Sequence, residues 1–67
     1  MAKKVFIGRD NNGSLWLFTS RPTFDFKDGM WDSNQEKAIE LTDNGQFAWL
    51  KPGYCQAYQE SYAIRIV

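Results

Sequence analysis

The chain has 67 residues, enough for one domain whose single core buries only about 60% of the surface its unfolded form exposes. Hydrophobic residues make up 43% and aromatics 16%, which excludes a disordered polar chain and concentrates burial in large flat rings. Eight basic and eight acidic side chains give a formal net charge of zero, which argues against a protein that tracks phosphates, and there is no histidine to ligate a metal.

Met1 to Gly8 carries two lysines and an apolar run too short for a secretion signal or a membrane span. With Cys55 alone and no internal disulfide available, the expectation is a cytoplasmic protein whose thiol stays reduced. Val5-Phe6-Ile7 and Leu15-Trp16-Leu17-Phe18 are β-branched and aromatic runs joined through Asn11-Asn12-Gly13, which predicts a β-hairpin. Arg21-Pro22 ends the second strand, because proline cannot donate to a ladder.

Thr23 to Asn34 reads as a loop whose Phe24, Phe26, Met30 and Trp31 fold back over the sheet. Asp25 to Glu36 has the length of a calcium loop, but Lys27, Gly29 and Met30 stand where oxygen ligands and then glycine are required. Ser33-x-x-Glu36 is a capping-box pattern, while Ile39 and Leu41 alternate with polar neighbours. The turn signal Asp43-Asn44-Gly45 and the run Gln46-Phe47-Ala48-Trp49-Leu50 favour a strand there and a second hairpin.

After the turn at Lys51-Pro52-Gly53, Tyr54, Tyr58 and Tyr62 recur every fourth residue, a spacing that fits one face of a helix or of a strand. A short helix over 54–60 is one reading, and Tyr62-Ala63-Ile64-Arg65-Ile66-Val67 alternates as a final strand. The expected fold is a single mainly β domain: a small twisted antiparallel sheet or partly closed barrel, two hairpins plus a C-terminal strand, with a short helix near 54–60.

No glycine-rich phosphate loop, zinc spacing or other cofactor motif is present. The carboxylate pairs Asp25/Asp28 and Glu36/Glu40 read as solvated surface charge, since general acid–base work needs a sheltered cleft, and the expectation is a protein that is not an enzyme. Cys55 reads as a small semi-buried residue with no basic sequence neighbour to lower its pKa. Trp16, Phe18, Trp49 and Tyr58 are the rings that a single-stranded nucleic-acid binder would use for stacking. Against that alternative, charge runs +3 over residues 1–24, −4 over 25–43 and +1 over 44–67, so no basic groove follows the chain.

In Arg9-Asp10, Gly13-Ser14-Leu15-Trp16-Leu17-Phe18, Pro22, Gly29-Met30-Trp31 and Ile39-Glu40-Leu41, the chain resembles a loose group of short uncharacterised proteins from gut bacteria and their phages. The resemblance ends near Leu41; the group's proline-rich acidic ending is replaced here by the tyrosine-rich segment from Tyr54 to Tyr62. It implies a small β-protein and a phage origin, and brings no known activity.

Leu15/Leu17 and Trp16/Phe18 fall on opposite faces of one strand, and a lone small sheet can bury only one face in its own core. The second face needs a cover: the loop around Phe24 and Phe26, a helix at 54–60, barrel closure, or another chain. Internal cover for part and a protein partner or second copy for the rest is the expectation. The function expected is a non-enzymatic interaction module, in the form of a phage-type inhibitor or modulator of a host protein. Its candidate contact residues are Phe24, Phe26, Asp28, Met30, Trp31, Asp32 and Glu36, with Tyr54 and Tyr58, and its partner is basic at the contact.

Overall fold

The computed structural model describes residues 3–33 and 38–66, with side chains as far as Ala63. In chain order the elements are β1 (Lys4–Arg9), β2 (Leu15–Phe18), β3 (Thr23–Asp25), β4 (Met30–Asp32), β5 (Ile39–Leu41), β6 (Cys55–Gln59) and α1 (Glu60–Ile66). The protein is mainly β, with an antiparallel four-stranded sheet in the order β5-β2-β1-β6 and a separate β3-β4 hairpin. The sheet is the small twisted one expected; it does not close into a barrel, because β5 and β6 end the strand order without pairing.

The first hairpin forms as its sequence predicts. Phe6 pairs with Phe18 and Arg9 with Leu15, and in the turn the Asp10 amide donates to the Ser14 carbonyl at 2.9 Å while Gly13 takes φ 95°. Alternation along β1 then sends Val5, Ile7 and Arg9 to one face of the sheet and Phe6 and Gly8 to the other.

The first face is the main core. Val5, Ile7 and Leu15 meet Phe47, Leu50 and Ala63, with Leu17, Leu41 and Tyr58 packed around them. Phe47 is completely buried, and by area it contributes about 2–3 kcal/mol.

Phe47 and Leu50 do not belong to the strand expected over 46–50. That stretch is a series of turns, in which the Leu50 amide donates to the Phe47 carbonyl at 2.9 Å and the Ala48 amide to Gly45 at 3.2 Å. β5 therefore finds its partner in β2, with Leu41 opposite Leu15, and the second hairpin does not form. Two more expectations are corrected at the C-terminal end. The short helix near 54–60 is displaced toward the C-terminus: β6 occupies Cys55–Gln59 and pairs with β1 along its whole length, and the helix begins only at Glu60. The final strand expected from Tyr62 onward is α1, which turns back so that Ala63 enters the core. Both reversals are cases of tertiary pairing overriding local preference.

The second face is covered from within the chain. Residues 23–32, expected as a loop, form a hairpin in which Phe24 pairs with Trp31, and Trp31 lies over Gly8. A Cβ at Gly8 would stand 2.8 Å from the indole Cδ1 and 2.9 Å from Cγ, so β1 needs glycine there to let the ring approach. We expect Gly8→Ala to lower the denaturant midpoint by the equivalent of about 1–3 kcal/mol, as overpacking against a rigid ring does. An unchanged midpoint in urea would show that Trp31 does not rest on β1.

Candidate functional site

Two adjacent residues, Arg9 and Asp10, fix where the hairpin sits. Asp10 is almost fully buried, and one of its carboxylate oxygens accepts the Trp31 amide at 2.8 Å. The Trp31 indole Nε1 donates to the Arg9 carbonyl at 3.2 Å, and the Asn11 amide donates to the Gly29 carbonyl at 2.9 Å. The hairpin is thus anchored at its base and across its turn.

At the tip, Asp25 Oδ1 accepts the amides of Lys27 at 2.9 Å and Asp28 at 3.3 Å, and the Gly29 amide closes onto the Asp25 carbonyl at 2.7 Å. This side-chain turn explains Asp25 without any catalytic role. Phe26 is carried on that turn with 88% of its surface exposed. Its ring meets Phe24 edge-on at 5.0 Å, and Phe24 meets Trp31 at 5.1 Å, so a row of aromatics runs from the sheet to the tip. Alternation places Thr23, Asp25, Met30 and Asp32 on the hairpin face opposite to Phe24 and Trp31.

Of the residues singled out in the sequence, Phe24, Phe26, Asp28, Met30, Trp31 and Asp32 come together on this one hairpin. Phe24 and Trp31 spend most of their surface as internal cover; Phe26, Asp28, Met30 and Asp32 are exposed. Glu36 lies outside the described residues. Tyr54 and Tyr58 are elsewhere, beside and on β6, where Tyr58 contacts Phe47 at 5.8 Å and Trp49 at 6.1 Å and stacks on Tyr62 at 5.6 Å. Sequence reading did not connect Trp49 to this cluster, because the fourfold tyrosine spacing names no partner outside its own segment.

The rings considered for base stacking do not form one platform. Trp16 and Phe18 lie on the face that bears Gly8, with Phe18 buried, whereas Tyr58 and its neighbour Trp49 belong to the opposite face.

Charge chemistry is dominated by one ion pair. Arg9 Nη1 donates to Asp43 Oδ2 at 3.0 Å, and this hydrogen bond, helped by the Gly45 amide, holds the Asp43 carboxyl below the ordinary aspartate range. Burial pushes the Cys55 thiol up despite the pull of the Arg21 charge, so it is a poor nucleophile. Tyr58 is also raised, first by burial and then by Tyr62 and Cys55. Among the described residues no group of histidine, cysteine and carboxylate side chains could hold a metal ion. The grooves are shallow; in one of about 590 Å³, Arg9, Gly13 and Asp43 are already bonded to one another. No protein-family profile, curated protein or solved structure matches the chain.

The depressed Asp43 value sets a direction for acid sensitivity. A carboxyl lower in the folded than in the unfolded state stabilises fully above its ordinary pKa and loses that contribution as pH falls through the depressed value. Asp43→Asn should therefore be less stable than the parent at neutral pH, and the two thermal midpoints should converge in acid below the ordinary aspartate range. A gap that persists or widens there would remove the ion pair from the account.

Proposed function

We propose that the protein is a non-enzymatic interaction module that presents the β3-β4 hairpin to a basic protein surface, with Phe26 as the anchor and Asp28 and Asp32 as the steering charges. The observation that carries the reading is the combination of an 88% exposed phenylalanine with a pinned backbone on both sides of it. An aromatic ring held ready on a rigid turn loses little conformational entropy on binding and supplies a large apolar contact. The carboxylates around it repel phosphate and attract lysine and arginine.

A modulator or inhibitor of a host protein is the biological form we assign to this module, in keeping with the phage origin that the resemblance to short proteins of gut bacteria and their phages implies. The nucleic-acid alternative has less support, since net charge is zero and its candidate rings occupy opposite faces. No described helix is long and apolar enough to cross a membrane.

The reading is tested by panning a random peptide library on the immobilised protein. Peptides enriched in lysine and arginine around an apolar residue are expected, with binding lost in Phe26→Ala while circular dichroism is unchanged. For such a peptide, Asp28→Lys/Asp32→Lys should slow association about tenfold, change dissociation less, and remove most of the salt dependence. Acidic peptides, or binding indifferent to Phe26, would contradict the proposal.

A further inference from the structure

The two ends of the main sheet are built differently. β5 is a three-residue edge that carries Glu40 at its centre, and Asp43 follows shortly after it. Shortness and charge are the usual devices that keep an edge strand from pairing with another chain. β6 has neither: Cys55-Gln56-Ala57-Tyr58-Gln59 is five residues long, contains no charge and no proline, and pairs one for one with β1 without a bulge.

The hydrogen-bond phase shows which groups that edge offers. The Arg9 amide donates to the Tyr54 carbonyl at 3.0 Å, and the Glu60 amide donates to the Lys3 carbonyl at 2.7 Å. In the antiparallel register these positions share one phase, so residues 54, 56, 58 and 60 bond to β1. The amides and carbonyls of Cys55, Ala57 and Gln59 therefore point away from the sheet.

We infer that β6 is a self-pairing edge, and that two copies of the chain associate by antiparallel β6–β6 pairing about a two-fold axis at Ala57. In that register Ala57 faces Ala57 of the second copy and Cys55 faces Gln59, so every outward group finds a partner. Three further observations favour a second copy as the occupant. The net charge of zero leaves no overall repulsion between copies. Gln56 of the second copy stands opposite Tyr58, whose hydroxyl is buried and has no hydrogen-bond partner among the described residues. Trp49, Tyr54 and Tyr62, exposed at 58%, 63% and 49%, cluster around this strand and supply apolar surface along the joint. The pairing uses the outer edge of β6 and does not depend on the function of the β3-β4 hairpin, which packs on the face of β1 and brings the Phe24 ring toward Gly53.

The test is sedimentation of the wild-type chain at about 5 µM and about 0.5 mM, the range in which a small edge contact would populate a dimer, with amide exchange read at both. A monomer at the lower and a dimer at the higher concentration is expected, and exchange at Ala57 should slow at least tenfold at the higher. Ala57→Pro removes an outward amide and no bond to β1, so it should stay monomeric with its β-sheet spectrum intact. Gln56→Lys, at an exposed position, sets like charges across the two-fold axis and should weaken dimerisation at least tenfold even if the proline variant does not fold. A wild type that remains monomeric at both concentrations, a dimer whose Ala57 amide exchanges freely, or a Gln56→Lys variant that dimerises equally well would each overturn the inference.

Discussion

The guanidinium of Arg9 is the point on which the rest of the fold depends. Only 7% of Arg9 is exposed, and burying a cation is costly unless its donors are filled. Here four of its five N–H donors have partners among the described residues: Nε donates to the Leu50 carbonyl, Nη2 to the Phe47 carbonyl at 2.9 Å, and Nη1 to the Gly13 carbonyl at 2.8 Å and to Asp43 at 3.0 Å. These acceptors belong to the 43–50 turns and the β1-β2 turn. One side chain thus substitutes for the strand ladder that 46–50 lacks, and holds Phe47 and Leu50 on the core. Lysine could not do this, because it presents a point charge where a planar fork is needed.

Asp10, the next residue, does the corresponding work on the other face. Adjacent residues along a strand serve opposite faces, so a two-residue Arg-Asp sequence at the end of β1 can hold both covers of the sheet at once. In a chain this short there is no second core to stabilise either cover independently. What remains exposed after both covers are in place is the hairpin tip around Phe26 and Met30, the margin of β6 around Trp49, Tyr54 and Tyr62, and Ile39 on the short edge strand β5.

Local chemistry made part of this legible. Asn11-Asn12-Gly13 between two apolar runs specifies a hairpin, and the ambidextrous strand 15–18 required a cover that the Phe24–Trp31 stretch supplies. The β3 and β4 strands are three residues each, too short for alternation to stand out from loop sequence. The misreading of 46–50 has a single cause, since its backbone partner lies in Arg9, far away in the chain, and no local pattern reports that. Residues 55–59 contain adequate helix formers, yet pairing with the apolar centre of β1 makes them a strand; the alternating 62–66 then falls in the helix, where Ala63 closes the core. Of the candidate site, the hairpin group was readable as an acidic cluster with interleaved aromatics. The β6 edge was not, because a free edge is a property of sheet order.

The most direct measurement of the central claim is the equilibrium unfolding of Arg9→Lys followed by tryptophan fluorescence and circular dichroism, with the exposed Arg21→Lys as control. Loss of the guanidinium fork leaves buried carbonyls unpaired, so Arg9→Lys should lose on the order of 3 kcal/mol or more, a large share of what a small domain has, with both probes shifted together. Arg21, whose contact is a cation over the Phe6 ring at 5.1 Å, should change by less than about 1 kcal/mol on the same substitution. An Arg9→Lys midpoint no lower than that of Arg21→Lys would contradict the account.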